Sequence, residues 1–367
     1  MTSSDFLDVV VIGDGLVGLA SARACAARGL STALVGKRRP GLGSAAAAGF
    51  LAPTIEPARG AALAFTLAAR EHYAGYLNEL QQLTGHFVPF ALDGILRLPA
   101  TERDAEAWAG AADPFSTWLS PSEVSVLEPA LHAPLGARFH DGDGMVDNQR
   151  LLHSLGEAVA LGGVQLVVGD ARRIEVIGDL VAIEVAGGPR LRTRRVVIAN
   201  GPWAPLLDGT PRAIPVRPLR GQMMALAGTP VSRPVFGAGG YVVPRAADRQ
   251  VFVGSTSEAV GYELGTTDAA LTGFRESAGR LVPALARADE VRIWSGLRPM
   301  TLDGLPIVGP DPDHSCVIYA CGHSRNGILL APLTGEVVAA LASGSPVDFD
   351  LTPFSIARFP AGTGTIA

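Results

Sequence analysis

Asp8-Val9-Val10-Val11-Ile12-Gly13-Asp14-Gly15-Leu16-Val17-Gly18 is the stretch on which the fold turns. Residues 8–13 form a short apolar run without polar alternation, the pattern of a parallel strand buried on both faces. Residues 16–28 continue as an Ala-rich helix that stops at Gly29, and residues 31–35 supply the second strand of a βαβ unit. Between strand and helix stands the fingerprint Gly13-x-Gly15-x-x-Gly18. Gly13 allows a tight turn, Gly15 lets the backbone approach a pyrophosphate, and Gly18 lets the helix pack closely on the strand. The helix then aims its free N–H groups and positive dipole end at the phosphates. With 44 glycines in the chain such a pattern can arise by chance, and its position between a strand and a helix is what marks a dinucleotide site.

One part of the fingerprint is missing. An acid about 20 residues further on normally ends the second strand and binds the ribose hydroxyls. Here that strand ends in Val35-Gly36-Lys37. A small residue followed by Lys37-Arg38-Arg39 suits a 2′-phosphate, so the fingerprint alone leaves an NADP-dependent enzyme in competition.

The 367 residues, 48% of them hydrophobic, can bury a large core and correspond to roughly two domains. A net charge of -5 and 6% aromatic content exclude the basic surface that nucleic acid or an anionic membrane requires. Met1 to Asp8 carry acids and no positive leader region, and no window reaches the ~18 uninterrupted apolar residues of a membrane helix. Cys25, Cys316 and Cys321 are too few for a disulfide framework and lack zinc spacing. Asp141-Gly142-Asp143-Gly144 with Asp147 lacks the ligand alternation and closing glutamate of a calcium loop and reads as a polar turn. No metal site is expected, and a soluble cytoplasmic protein is the simplest expectation.

Residues 63–83 have helical spacing, closed by Thr84-Gly85, after which the texture changes to short strands at 87–90, 94–98, 240–244 and 250–254. A helix at 148–161 leads to strand-like runs at 164–168 and 181–185. Residues 195–199 then return to buried-strand character and end at Asn200-Gly201-Pro202. The fingerprint domain is therefore interrupted. We expect α/β plus antiparallel β, with a Rossmann-like domain over 1–85, 141–212 and 298–367. A substrate domain on a mixed or antiparallel sheet takes 86–140 and 213–297.

In the C-terminal third, Gly240-Tyr241-Val242-Val243-Pro244-Arg245, Val253-Gly254-Ser255-Thr256 and Gly296-Leu297-Arg298-Pro299 occur in that order. Asp303-Gly304-Leu305-Pro306-Ile307-Val308-Gly309-Pro310 and Gly322-His323-Ser324-Arg325-Asn326-Gly327-Ile328 follow. This series, with Gly43 to Pro53 near the N-terminus, resembles the glycine oxidases of the D-amino-acid oxidase superfamily almost end to end. The resemblance implies non-covalent FAD and no nicotinamide. It places the cofactor on Gly13, Gly15, Leu16, Val17, Gly18, Gly36 and Lys37, with Lys37 or the backbone near Gly36 replacing the usual acid. Ser44, Ala47, Ala48, Gly49 and Leu51 would lie beside the flavin, and Arg172 and Ala199-Asn200-Gly201 would also touch the cofactor. Arg298, His323, Arg325, Asn326, Gly327 and Ile328 complete the set. The helix at 328–342 would set its dipole near the flavin C2 carbonyl.

In that family a hydride leaves the carbon next to the substrate nitrogen for flavin N5. The imine hydrolyses, and dioxygen reoxidises the flavin to give hydrogen peroxide. By resemblance Arg298 anchors the substrate carboxylate through a planar two-pronged hydrogen bond. Tyr241 adds a hydroxyl, Arg325 is a second basic candidate, and His323 is structural or a flavin neighbour. Ser324, Ser257 and Gly239 are small where the family has bulkier residues. That implies an enlarged pocket and an N-substituted glycine, such as an N-carboxymethyl amino acid of a biosynthetic pathway, releasing glyoxylate. Glycine, sarcosine or a small D-amino acid, serving thiamine thiazole synthesis, is the competing set. A flavin dehydrogenase with another electron acceptor, or an inert FAD binder, is the reading from a different class. Related glycine oxidases also imply a homo-oligomer.

Overall fold

The computed structural model describes residues 6–55 and 58–360. Most of the N-terminal stretch read above for a leader, Met1 to Asp5, lies outside them. Strand Leu7–Ile12 pairs in parallel with Thr32–Gly36 on one side and with Arg190–Ile198 on the other. Gln165–Val168 and Val317–Cys321 extend the parallel set at its two ends, and Ile307–Pro310 adds an antiparallel edge. Side chains of Leu7–Ile12 alternate between two cores. Val9 and Val11 meet helices, while Val10 and Ile12 meet an apolar layer that includes Ile174, Ile183 and Phe359. Burial on both faces explains why this strand shows no polar alternation.

Arg190–Ile198 does two jobs. Its first half pairs antiparallel with Leu180–Val185, itself hairpinned to Ala171–Ile177, while its second half lies between Leu7–Ile12 and Val317–Cys321. The run expected at 195–199 is thus the buried end of a longer strand whose exposed start alternates with arginines.

Helix Leu16–Ala27 packs on the closing helix Gly327–Ser343, which also touches Gly60–Thr84. The stretch Ser324–Ser343 is apolar and long enough to cross a membrane, yet 67% of that window is buried inside the protein. A helix apolar all round is what a position between other helices and a sheet demands. The Tyr73 hydroxyl donates to the Ile328 carbonyl and pins the start of that helix.

The second sheet runs in the order Glu290–Thr301, Val216–Ala227, Gln250–Gly254, Gly240–Arg245, Val235–Gly237, Ile95–Arg97, Ala137–His140, Thr117–Leu119. It is mixed, because Val235–Gly237 and Ile95–Arg97 are parallel. Of the strand expected at 87–90 only Phe90–Ala91 forms, in a small third sheet with Phe50–Leu51 and Gly144–Val146. The two longest strands were not expected. Pro218, Gly221, Gly296 and Pro299 disguise them, and the pairing places Pro218 opposite Pro299, so that the two absent donors face one another. Helix Asp268–Leu281 covers one face of this sheet through Phe274, Ala278 and Leu281. Met223, Tyr241, Phe252 and Trp294 turn to the other face, against Ala48, Phe50 and Met145.

At the helix crossing, a Cβ on Gly335 would lie 2.7 Å from backbone atoms of Ala20. Gly335→Ala should therefore force the two helices apart and lower stability by about 1–3 kcal/mol, read as a shift of the urea midpoint. An unshifted midpoint would show that the helices have slack there.

Candidate active site

A cavity of about 1260 Å³ opens between the first two sheets. A single small ligand usually takes ~300–1,000 Å³, so the volume fits a large cofactor with a second, smaller molecule. The sequence brings distant segments to its wall in three groups.

The fingerprint turn contributes Gly13, Gly15, Leu16 and Val17. Gly13 has φ of 116°, and a Cβ there would sit 2.4 Å from the Ala199 carbonyl oxygen, so only glycine lets the turn close against the neighbouring strand. Helix Leu16–Ala27 has no side-chain N-cap and so presents its first N–H groups toward the cavity, where the Ser44 hydroxyl accepts from Leu16 at 3.0 Å. Ala199, Asn200 and Gly201 line the same end, as do Gly36 and Lys37. The Asn200 side-chain oxygen is buried with no partner among the described residues, an acceptor suited to a ligand hydroxyl.

Ser44, Ala47, Ala48 and Gly49 form the second group. Four side chains that the sequence reading missed hold this segment by its carbonyls. Asn148 donates to Ser44 at 2.7 Å, Gln149 to Ala45 at 3.1 Å, Trp294 to Ala46 at 3.0 Å and the buried Arg245 to Ala48 at 2.8 Å. With its carbonyls engaged behind, the segment is a rigid platform against the cavity.

The third group is Arg298, His323, Arg325, Asn326, Gly327 and Ile328, together with Tyr241. The Tyr241 hydroxyl donates to the Met223 sulfur at 3.2 Å, and burial raises its pKa, against which the Ser255 side chain and then Arg298 act. Burial lowers the pKa of Arg298, Tyr241 raises it, and the like charge of Arg325 lowers it again. Two guanidiniums and a phenol around one space make a receptor for a small anion.

Three residues of the expected cofactor set stand off the wall. Gly18 acts in packing, since a Cβ there would lie 1.8 Å from the Gly13 carbonyl oxygen. Leu51 is fully buried in the core around the helices. The Arg172 side chain is exposed on strand Ala171–Ile177, and its neighbours Gly169, Asp170 and Ala171 take the wall instead. Of the three small residues singled out, Ser324 and Ser257 line the cavity, but Gly239 does not: a Cβ there would point at Arg280 and Ser277. Asp14, Asp170, Trp203, Arg97 and Trp108 line it without having been foreseen. Asp14 sat inside the quoted fingerprint, while Arg97 and Trp108 belong to no motif.

The thiols and the acids of the polar turn at 141–147 lie off the cavity wall. Asp143 accepts from Thr54 and Arg70, and Asp147 caps helix Asn148–Leu161. All three cysteines are buried away from the cavity wall, consistent with non-covalent FAD. Among the described residues His86, His153 and Glu157 group closely enough to hold a metal ion, outside the cavity.

The family model described as FAD dependent oxidoreductase, DAO, matches residues 8–341. The chain is 34% identical over 370 residues to a glycine oxidase of Geobacillus kaustophilus, covering 96% of this chain and 97% of that protein. It is 35% identical to a bifunctional protein ThiO/ThiG of Synechocystis, covering 96% of this chain and 54% of that protein. The crystal structure of glycine oxidase from Geobacillus kaustophilus superposes with a TM-score of 0.90 at 31% identity, covering 98% of this chain and 100% of that one. The open helix terminus, the close glycine turn and the unpartnered Asn200 oxygen fit the pyrophosphate and polar chain of a flavin dinucleotide, and with these matches the chain belongs to the DAO family of FAD-dependent oxidoreductases.

Proposed function

We propose that the chain oxidises a glycine-type amine, glycine or an N-substituted glycine, with dioxygen as electron acceptor. The observation that carries this reading is the placement of Arg298, Tyr241 and Arg325 around one space on the cavity wall. Bound FAD supplies the two-electron acceptor for the C–H bond beside the amine nitrogen. The residues of this chain bind and orient. Arg298 takes the substrate carboxylate with two parallel hydrogen bonds, and the Tyr241 hydroxyl leaves a weak sulfur acceptor for the same carboxylate. Fixing the carboxylate fixes the direction of the α-carbon. Addition of water to the resulting imine gives glyoxylate and the free amine, and reduction of dioxygen gives hydrogen peroxide. On this reading the insertions 86–140 and 213–297 are the substrate side, and 1–85, 141–212 and 298–367 the cofactor side.

Ser324 and Ser257 on the wall support an N-substituted glycine such as an N-carboxymethyl amino acid. The glycine oxidases among the relatives support glycine itself. Anaerobic bleaching of the flavin and peroxide release in air should be measured for glycine, sarcosine, D-alanine and N-carboxymethyl amino acids. We expect the last group to have the highest kcat/KM. If glycine turns over far better than every bulky analogue, the enlarged-pocket reading fails, and reduced flavin that persists in air would make the enzyme a dehydrogenase.

Arg298→Ala should reduce kcat/KM roughly 10²-fold, mainly through KM, because an anchored carboxylate loses its charged partner. Unaltered kinetics would remove Arg298 from the site.

His323 is buried, its Nε2 lies 3.2 Å from the Thr334 hydroxyl, and burial holds its pKa at about 4. It is neutral at pH 7 and has no proton to donate as an imidazolium. In the unfolded chain it ionises near 6.5, so between 6.5 and 4 the unfolded state binds a proton that the folded state refuses. Stability is therefore lost as pH falls through that window. His140, also lowered to about 4 by burial, adds to the same slope. His323→Gln should flatten the dependence by up to one proton, about 1.4 kcal/mol per pH unit. Urea midpoints measured from pH 4 to 6.5 would refute this if the variant and wild-type curves ran parallel.

A further inference from the structure

We infer that Asp14 is the carboxylate that binds the adenosine ribose: the acid has moved from the end of the second strand into the fingerprint turn. The inference rests on the FAD reading of the cavity. In the usual arrangement the second strand ends in an acid whose side chain turns toward the fingerprint and accepts from the ribose diol. At that place this chain has Gly36. A Cβ built on Gly36 would lie 2.5 Å from the Asp14 Cβ, 2.7 Å from its Cγ and 3.1 Å from Oδ1. The Asp14 carboxyl therefore occupies the space into which a side chain at 36 would grow. One acid fits there, and in this chain it comes from the other strand.

The surroundings support the assignment. Asp14 is half-buried on the cavity wall, one residue before the N-cap of helix Leu16–Ala27. Among the described residues its carboxylate has no hydrogen-bond donor beyond its own backbone N–H, so both oxygens can accept from a vicinal diol. The facing charges are Arg38 and Arg39, which favour its ionised form, and Asp170, which opposes it; burial outweighs them and raises its pKa. Arg39 is committed to Asp170 at 2.7 Å and lies over the Trp203 ring. A 2′-phosphate at this place would meet the Asp14 carboxylate, so the basic run at 37–39 does not make an NADP site.

The test measures binding of FAD and of FMN, which lacks the adenosine half, to apoprotein by flavin fluorescence, with circular dichroism and thermal unfolding as checks on folding. Asp14→Ala should raise the FAD dissociation constant roughly 10- to 100-fold, the range for a lost hydrogen bond to a charged group, and leave that of FMN unchanged. Asp14→Asn, with the same shape and one acceptor, should fall between wild type and Asp14→Ala. Gly36→Glu alone should weaken FAD binding by collision with Asp14, whereas Asp14→Ala with Gly36→Glu should regain affinity over Asp14→Ala. Equal FAD affinity in Asp14→Ala and wild type overturns the assignment, and so does a loss shared equally by FMN, which would mark a structural role. A double variant no tighter than Asp14→Ala overturns the equivalence of the two positions. Wild-type protein that binds neither flavin would instead overturn the FAD reading itself.

Discussion

The approach of three backbones at the fingerprint turn constrains the rest of the molecule. The Gly13 carbonyl lies where a side chain on Gly18 would begin, and the Ala199 carbonyl where one on Gly13 would begin. No other residue type at either position lets the first strand, the first helix and the neighbouring strand meet this closely. Because they meet, the helix terminus opens directly on the cavity, with no side chain on its N-cap Gly15 and the Ser44 hydroxyl accepting from Leu16. The same helix presents Ala20 to Gly335, so the closing helix, and with it the segment 322–328 that lines the cavity, is placed from the same turn.

The segment 44–49 is held by a different device, a buried cation. Arg245 is 5% exposed and donates to the Val146 and Ala48 carbonyls and to the Asn148 oxygen, with its guanidinium over the Phe252 ring at 4.7 Å. A charge without such partners would be costly to bury, so the hydrogen bonds and the ring face are the conditions of its being there. The arrangement joins the second sheet, the small third sheet and the segment 44–49 at one point. The second sheet is thereby tied to the segment that lines the cavity.

Legibility from sequence followed how local each signal is. The βαβ unit, helix 148–161 and the glycines of the turn were readable because their patterns lie within a few residues. Strands Val216–Ala227 and Glu290–Thr301 were not, because each holds a proline and a glycine that signal a break, and only their mutual pairing makes the breaks harmless. Arg298 and Tyr241 were reached through resemblance alone. The roles of Asn148, Gln149 and Trp294 lie beyond either route, since each reaches a backbone carbonyl about a hundred or more positions away. Gly239 misled because a small residue was equated with open space, whereas its missing side chain faces helix Asp268–Leu281.

The two ends of the cavity differ in the groups they offer. At one end Asp14 and Asp170 line the wall beside a helix N-terminus, an arrangement that accepts hydroxyl donors next to phosphates. At the other end the guanidiniums of Arg298 and Arg325 stand around one space with the Tyr241 hydroxyl. Placing the acid at 14 rather than 36 leaves the charge where it was needed, because the carboxylate occupies the same volume from the fingerprint turn. A ribose diol reads the position of a charge in space, whichever residue delivers it.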